Sequence, residues 1–192
     1  MRILFIHGLA SSGRYKIADG LRNLFAPCEV IAPDVPEEPE EALAMLKKIC
    51  KEEQPDLIVG LSLGGFWAQM LRGYRKILIN PGFHVSGLLR KKLGRFEYMS
   101  PRADGAEFFE VTPALCDSYE RIEAVQFDGI SETDLKQTTG LFAIEDEVVR
   151  CLDEFDLHYP GRSYQYHGGH LPNYPEIKAL LPGPVAQLMK EN

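Results

Sequence analysis

Residues 56–66 read Asp-Leu-Ile-Val-Gly-Leu-Ser-Leu-Gly-Gly-Phe, an apolar run that leads into a serine between glycines. Residues 56–59 predict a short buried strand, and residues 66–71 predict the start of a helix. A strand that turns sharply into a helix strains the turn residue and exposes its side chain, and glycine neighbours relieve the crowding. The pattern therefore predicts an exposed, nucleophilic Ser62. The alternative is a glycine-rich turn that only packs closely or binds an anion at the helix start.

Composition limits the classes of partner. The chain has 192 residues, 45% of them hydrophobic and 26% charged, which suits one domain with a sizeable core. Its net charge of −7 argues against binding to a nucleic-acid backbone. The stretch Arg90-Lys91-Lys92 with Arg95 is a local cluster of positive charge in this acidic chain. We favour a solvated helix face as its explanation, and contact with an anionic part of a substrate is the alternative.

The cysteines and the N-terminus bear on cellular location. Cys28, Cys50, Cys116 and Cys151 are scattered without C-x-x-C or metal-ligand spacing, so reduced thiols are expected. The apolar run at residues 3–6 is far too short for a secretory signal or a membrane span. We therefore expect a cytoplasmic protein that does not associate with membranes.

Short apolar runs alternate with helical patterns along the chain, as in a parallel sheet with crossover helices. The predicted strands cover residues 2–6, 28–32, 56–61, 75–80, 138–143 and 163–167. Ser12 is expected to cap the first helix, and the last helix, roughly 174–190, is expected to break or kink near Pro182 and Pro184. The fold class is thus α/β, with a mostly parallel sheet of about six strands and helices on both faces.

The segment from residue 82 to residue 137 is longer than one crossover helix needs. Its 56 residues include seven that carry aromatic rings: Phe83, Phe96, Tyr98, Phe108, Phe109, Tyr119 and Phe127. We interpret residues 83–135 as a crossover plus a small helical lid over Ser62, within a single domain that spans residues 1–192. Alternatively, the aromatic residues only attach an oversized crossover to the sheet.

A serine nucleophile needs a base and an acid that orients the base. In a parallel sheet these groups lie on loops after the strands, in the order serine, acid, histidine. Asp146 follows the strand 138–143 and His170 follows the strand 163–167, so both satisfy this order.

Three nearby residues are rivals for these roles. Glu145 and Glu147 flank the candidate acid, but each is better explained as a solvent-facing carboxylate. His167 is a rival base, although its position before Gly168-Gly169 suggests that it ends the strand.

Two backbone amides are expected to form an oxyanion hole. One belongs to Leu63, directly after the serine, and the preferred second donor is Leu9, in the turn after the first strand. His7, in the same turn, is interpreted as a buried histidine that shapes the turn by hydrogen bonding.

Several of these motifs occur together in a known family. They are His7-Gly8-Leu9-Ala10-Ser11-Ser12, Gly60-Leu61-Ser62-Leu63-Gly64-Gly65, Asn80-Pro81, Asp146-Glu147-Val148 and Gly168-Gly169-His170. Over nearly its full length the chain resembles the YqiA/YcfP-like esterases, which are small bacterial α/β-hydrolases. The resemblance implies a compact α/β-hydrolase fold, a triad of Ser62, Asp146 and His170, and hydrolysis of esters or acyl thioesters.

The expected chemistry is acyl transfer to Ser62 from a small-molecule ester or thioester, without a metal or organic cofactor. Amide or lactone hydrolysis at the same site is one alternative. A silent binding or scaffold protein is another, favoured by the extra negative charge that Glu145 places beside Asp146. The sequence leaves the natural substrate and the oligomeric state open.

Overall fold

A sheet of parallel strands separates two layers of helices. The computed structural model describes residues 1–190. The strands are β1 (Arg2–Ile6), β2 (Glu29–Ile31), β3 (Leu57–Leu61), β4 (Lys76–Ile79), β5 (Gly94–Glu97), β6 (Phe108–Val111), β7 (Thr138–Ala143) and β8 (Ser163–Tyr166). Within these described residues, six parallel strands form the main sheet in the order β2-β1-β3-β4-β7-β8.

The helices cover both faces of this sheet. They are α1 (Lys16–Leu24), α2 (Pro39–Glu53), α3 (Leu63–Met70), α4 (Val85–Leu89), α5 (Pro113–Glu123), α6 (Glu132–Gln137), α7 (Leu152–His158), α8 (Tyr174–Leu180) and α9 (Pro182–Leu188). On one face Ile3 and Phe5 of β1 pack with α1, α8 and α9, and on the other Leu4 and Ile6 pack with α2, α3, α5 and α7. The predicted fold class is confirmed. Among residues 1–190, no helix is both long and apolar enough to traverse a bilayer.

The central strands form where the apolar runs predict them. The strands β1 and β7 have the predicted bounds, and β2, β3, β4 and β8 differ from theirs by one residue at one or both ends. Every residue of β3 and β4 is buried, because helices cover both sides of these strands. The break in the last helix also falls as predicted, since α8 ends at Leu180 and α9 begins at Pro182.

The prediction that Ser12 caps the first helix is wrong. The helix α1 starts at Lys16, with Tyr15 at the N-cap position. The Ser12 hydroxyl instead donates to the carbonyl of Pro101 at 2.8 Å and lies 2.9 Å from the Ser100 hydroxyl. The side chain therefore attaches residues 82–137, which we call the inserted segment, to the turn after β1. Local helix signals do not reveal such a long-range contact.

The inserted segment contains a hairpin that the sequence analysis did not predict. The strands β5 and β6 pair antiparallel between helices α4 and α5, and the Phe96 and Phe109 rings stack across the pair at 5.6 Å. In β6 the exposed Phe108 and Glu110 alternate with the buried Phe109 and Val111. This alternation and the preceding Asp104-Gly105 turn signal favour a strand and a hairpin loop.

A buried ion pair fixes the junction between α3, β4 and α6. The Lys76 ammonium lies 3.2 Å from the Asp134 carboxylate, and their side chains are 0% and 2% exposed. Lys76 also donates to the Leu71 carbonyl at 2.9 Å, just after α3 ends. Burial lowers the pKa of Lys76 to about 8. Burial opposes ionisation of Asp134 as well, but hydrogen bonds from Gly73 and Ser131 and the Lys76 charge lower its pKa to about 2.

We predict that Asp134→Asn destabilises the protein by about 3–5 kcal/mol at pH 7, because it leaves a buried ammonium without its counter-charge. Urea unfolding measures the loss. The control is Glu52→Gln, which removes an exposed partner 3.9 Å from Lys48 and should cost under about 0.5 kcal/mol. Equal losses in the two variants would contradict the prediction.

The same pair has a predictable pH dependence. The folded-state pKa of Asp134 lies below its ordinary value near 4, so its stabilisation is complete above pH 4 and is lost as the pH falls towards 2. Urea unfolding at a series of pH values should therefore show that the difference in free energy of unfolding between the wild type and Asp134→Asn decreases as the pH is lowered from 4 to 2.

Candidate active site

Ser62 occupies a strained turn between β3 and α3. Its backbone angles are φ 56° and ψ −117°, a conformation that residues with a Cβ atom rarely adopt. Two neighbouring glycines make the turn possible. A Cβ atom on Gly60 would lie 2.2 Å from the carbonyl oxygen of Gly64, and one on Gly64 would lie 1.9 Å from the carbonyl oxygen of Ile6. The glycines are therefore required by close packing, as the sequence motif indicates.

Ser62, His170 and Asp146 form one chain of hydrogen bonds. The His170 Nε2 atom lies 2.8 Å from the Ser62 hydroxyl, and its Nδ1 atom lies 2.8 Å from the Asp146 carboxylate. An ionised carboxylate only accepts, so Nδ1 carries the proton and Nε2 is free to accept from the hydroxyl. The three predicted residues thus meet at the carboxyl ends of β3, β7 and β8.

Asp146 is itself fixed in orientation. The carboxylate is almost completely buried, and its second oxygen accepts hydrogen bonds from the backbone amides of Val148 at 2.8 Å and Val149 at 3.0 Å. These two amides leave the other oxygen directed at His170. A carboxylate held in this way can select the tautomer of the imidazole and stabilise its protonated form.

The rival acid and the rival base pair with each other, away from Ser62. Glu145 accepts a hydrogen bond from His167 at 2.8 Å, and the two side chains are 54% and 86% exposed. Its other carboxylate oxygen accepts from the Gly168 amide at 2.6 Å. The hydrogen bond from His167 and that of Gly168 lower the pKa of Glu145. Glu147 is exposed. The negative charge of Glu145 is therefore engaged on the loop that carries His170 rather than competing with Asp146.

The two predicted oxyanion donors lie beside Ser62. Leu9 and Leu63 both line the cavity that contains the Ser62 and His170 side chains. Within residues 1–190, neither backbone amide has a hydrogen-bond acceptor. The turn that carries Leu9 approaches closely, since a Cβ atom on Gly8 would lie 3.2 Å from the Ser62 Cβ. Neither amide is therefore engaged elsewhere in the described part of the protein.

His7 shapes this turn, in agreement with the sequence interpretation. The backbone amide of Val35 donates to His7 Nε2 at 3.0 Å, so Nδ1 carries the proton and donates to the carbonyl of Gly8 at 2.8 Å. Burial lowers the pKa of His7, which keeps the imidazole neutral. His7 is therefore a structural support for the turn after β1 and lies outside the chain of hydrogen bonds at Ser62.

The cavity in front of Ser62 is small and largely apolar. Its volume is about 200 Å³. The apolar side chains that line it come mainly from α4, from the segment after β5 and from the loop after Asp146: Val85, Leu88, Leu89, Met99, Val148 and Val149. No lysine, arginine or carboxylate lines it among the described residues. The site suits an uncharged hydrocarbon group next to the serine.

The wall that carries Met99 is attached to the turn after β1. The Met99 amide donates to the carbonyl of Ala10 at 2.7 Å, and Ala10 has a left-handed φ of 56°. Further along, Asp34 accepts from the amide of Gly13 at 2.7 Å and from that of Ala103 at 2.6 Å. The inserted segment thus holds both the side of the cavity and the turn that presents the Leu9 amide.

The basic stretch lies on the surface. Arg90 donates to Asp117 and to Glu120, each at 2.6 Å, and these contacts raise its pKa. Lys91, Lys92 and Arg95 are exposed. The favoured interpretation, a solvated face, fits this arrangement.

Asn80 makes contacts that the sequence did not lead us to expect. Asn80-Pro81 is part of the family motifs, but no role was assigned to Asn80 from the sequence. In the structure Asn80 is buried at the end of β4 and hydrogen-bonds to the loops that carry Asp146 and His170. The available signal was an amide residue directly after a continuous apolar strand, since a buried Asn must satisfy its hydrogen bonds.

The geometry can be compared with known proteins. The family model of the uncharacterised protein family UPF0227 matches residues 2–110, more than half of the chain. The chain belongs to this family. UPF0227 is the family of YqiA/YcfP-like esterases that the sequence motifs resemble, so that prediction is confirmed. The match contains Ser62 and the turn at Leu9, and it ends before Asp146. A comparison with curated proteins gives no significant match.

Solved structures similar to this UPF0227 member are α/β-hydrolases. One, from work on the metagenome-derived lipolytic enzymes LipS and LipT, has a TM-score of 0.64 at 18% identity and covers 98% of this chain and 93% of its own. Est1E from Butyrivibrio proteoclasticus has a TM-score of 0.68 at 10% identity, and the match covers 98% of this chain and 88% of Est1E. The esterase domain of a Rhodothermus marinus protein has a TM-score of 0.63 at 16% identity, and the match covers 99% of this chain and 86% of that domain's chain. At these identities the likeness shows the fold, which is that of α/β-hydrolases.

We predict that Gly64→Ala destabilises the protein by at least about 3 kcal/mol, because its Cβ atom would overlap a backbone oxygen that cannot move aside. Urea unfolding followed by circular dichroism measures the change. The matched control is Gly87→Ala in α4, where no atom lies within 4 Å of the added Cβ. That variant should be unchanged or more stable by about 0.5–1 kcal/mol, and similar values for both would contradict the prediction.

Proposed function

We propose that this protein is a serine hydrolase that cleaves carboxylic esters or acyl thioesters. The observation that carries the proposal is the continuous chain of hydrogen bonds from Asp146 through His170 to Ser62. The strained turn at Ser62, the two free amides and the apolar cavity support it. Membership of a family of esterases agrees with this chemistry.

In the first step, the Ser62 oxygen attacks the substrate carbonyl carbon while its proton passes to His170 Nε2. Asp146 stabilises the resulting imidazolium through Nδ1. The negative charge that develops on the carbonyl oxygen is stabilised by the amides of Leu9 and Leu63, and each such donor typically contributes about 3–4 kcal/mol. The bond to the leaving oxygen or sulfur then breaks, and Nε2 returns its proton to that atom, which leaves an acyl ester on Ser62.

In the second step, water takes the place of the leaving group. His170 Nε2 accepts a proton from the water as its oxygen attacks the acyl carbon. The bond between the acyl carbon and the Ser62 oxygen breaks, and the proton returns to the serine. The side chains and amides named above are sufficient for both steps, so no metal or organic cofactor is part of the proposal.

The substrate class follows from the lining of the cavity. An uncharged acyl or alcohol group next to the ester carbonyl would bury its hydrocarbon against Val85, Leu89 and Val149. The esterases and lipolytic enzymes among the similar structures are compatible with an ester of this kind. We therefore propose small-molecule esters with an apolar group as substrates and keep the cytoplasmic location as a prediction.

We predict that Ser62→Ala reduces kcat/KM on p-nitrophenyl esters of short acyl chains by at least about 10³-fold while leaving the fold intact. His170→Ala should have a comparable effect, because the serine then has no base. A fluorophosphonate probe should label the wild-type protein stoichiometrically at Ser62 and should not label either variant.

The matched control is His167→Ala, which removes an exposed histidine three residues before His170. It should retain at least about a third of the wild-type rate, because His167 contacts Glu145 and not Ser62. Full ester turnover by Ser62→Ala would contradict the proposed mechanism. A folded wild-type protein that is inert to every ester and to the probe would favour the scaffold alternative.

A further inference from the structure

The loop that carries His170 has little internal support. After β8 ends at Tyr166, the chain passes through Gly168 and Gly169 before His170. Gly168 has a φ of 155°, and a Cβ atom on Gly169 would meet nothing within 4 Å. Glycines restrict the backbone least, so the direction of the His170 imidazole depends on contacts made from outside the loop.

One buried side chain supplies such contacts. Asn80 is 1% exposed, and its amide nitrogen donates to the carbonyl of His170 at 2.8 Å and to that of Gly169 at 3.2 Å. The same nitrogen lies 2.9 Å from the hydroxyl of Tyr166. The amide therefore contacts the loop at both ends, at the last residue of β8 and at His170 itself.

The side-chain oxygen of Asn80 contacts the end of β7, directly before the loop that carries Asp146. The Asn80 side-chain oxygen accepts from the amide of Ala143 at 2.7 Å, where β7 ends and the turn to Asp146 begins. A side-chain amide is suited to this position because its NH2 group donates hydrogen bonds to one neighbour while its carbonyl oxygen accepts one from another. An aspartate would lack the donor, and an apolar residue would leave all of these groups unpaired in a buried site.

Asn80 is also coupled to the serine turn. Its backbone amide donates to the carbonyl of Leu141 at 2.8 Å, and its own φ is 44°, a left-handed value that Asn tolerates better than most residues. Two residues on, the Gly82 amide donates to the carbonyl of Ser62 at 3.2 Å. The segment 80–82 therefore touches all three loops that carry Ser62, Asp146 and His170.

We propose that Asn80 is a positioning residue that sets the direction of the His170 imidazole by holding the backbone of its loop. The inference rests on the proposed function for its kinetic consequence, but the geometric part stands independently. Without the Asn80 amide, the carbonyls of Gly169 and His170 lose their donor, and the loop loses the contact that holds it on the side of β4. The imidazole can then turn away from Ser62 and Asp146.

The principal test is Asn80→Gly, because glycine keeps the left-handed backbone and removes only the amide. We expect kcat on p-nitrophenyl esters to fall by on the order of 100-fold, as for an ångström-scale misplacement of a reacting group. KM should stay within about threefold, because Asn80 does not line the cavity. The matched control is Tyr166→Phe, which removes one partner of the amide and leaves both carbonyl contacts, so kcat should stay within about threefold.

A second measurement does not depend on turnover. The proton on His170 Nδ1, held against the Asp146 carboxylate, should give a low-field proton resonance in the wild type and in Tyr166→Phe. It should be lost in His170→Ala, which assigns it, and lost or strongly shifted in Asn80→Gly although that variant unfolds cooperatively. If Asn80→Gly does not fold, Asn80→Ala replaces it, since alanine also removes the amide and Ala10 already adopts a left-handed φ in this protein.

The outcomes separate the two proposals. Wild-type kcat and an unchanged low-field resonance in Asn80→Gly, or in Asn80→Ala where that variant is used, would overturn the role of Asn80 and leave the hydrolase proposal standing. A wild-type protein without ester turnover would overturn the hydrolase proposal, while loss of the resonance in the Asn80 variant would still support the positioning role. A fall in kcat with an unchanged resonance in the Asn80 variant would also overturn the positioning role, because the imidazole would then not have moved.

Discussion

The close packing of the Ser62 turn against the neighbouring strands is the constraint on which the site depends. Gly64 rests on the carbonyl of Ile6 at the end of β1, and the Ser62 amide donates to the carbonyl of Ile79 at the end of β4 at 2.9 Å. The strained backbone of Ser62 is therefore held on one side by the buried end of β1 and on the other by β4, all of whose residues are buried. A conformation of this kind costs about 1–3 kcal/mol and persists only where the surroundings enforce it.

The same edge of the sheet gathers further left-handed residues. Ala10 follows β1 with φ 56°, Ser62 follows β3 with φ 56°, and Asn80 follows β4 with φ 44°. Each has a separate partner that holds it: the Met99 amide for the Ala10 carbonyl, the Ile79 carbonyl for the Ser62 amide, and the Ala143 amide for the Asn80 side chain. Backbone strain is thus concentrated where three adjacent strands end, which is where ligands bind in open α/β sheets.

The loop of His170 shows how a flexible segment is fixed by its neighbours. Glu145 holds Gly168 from the side of β7, and Asn80 holds Gly169 and His170 from the side of β4. The carboxylate of Glu145, next to Asp146, therefore anchors the loop through the Gly168 amide. The inserted segment plays a similar part on the other side of Ser62, where Met99 and Asp34 hold the turn that carries Leu9.

The sequence by itself determined the sheet and the glycine-flanked turn at Ser62, and it predicted that Asp146 and His170, rather than their neighbours, lie next to Ser62. These follow from local rules: continuous apolar runs form buried strands, and functional loops follow the strands in a fixed order. Only the tertiary structure decided which partners Ser12, Asn80 and Glu145 contact. The long-range hydrogen bonds of these side chains join residues 22 to 90 positions apart, and such partners are chosen by how the elements pack rather than by any local pattern.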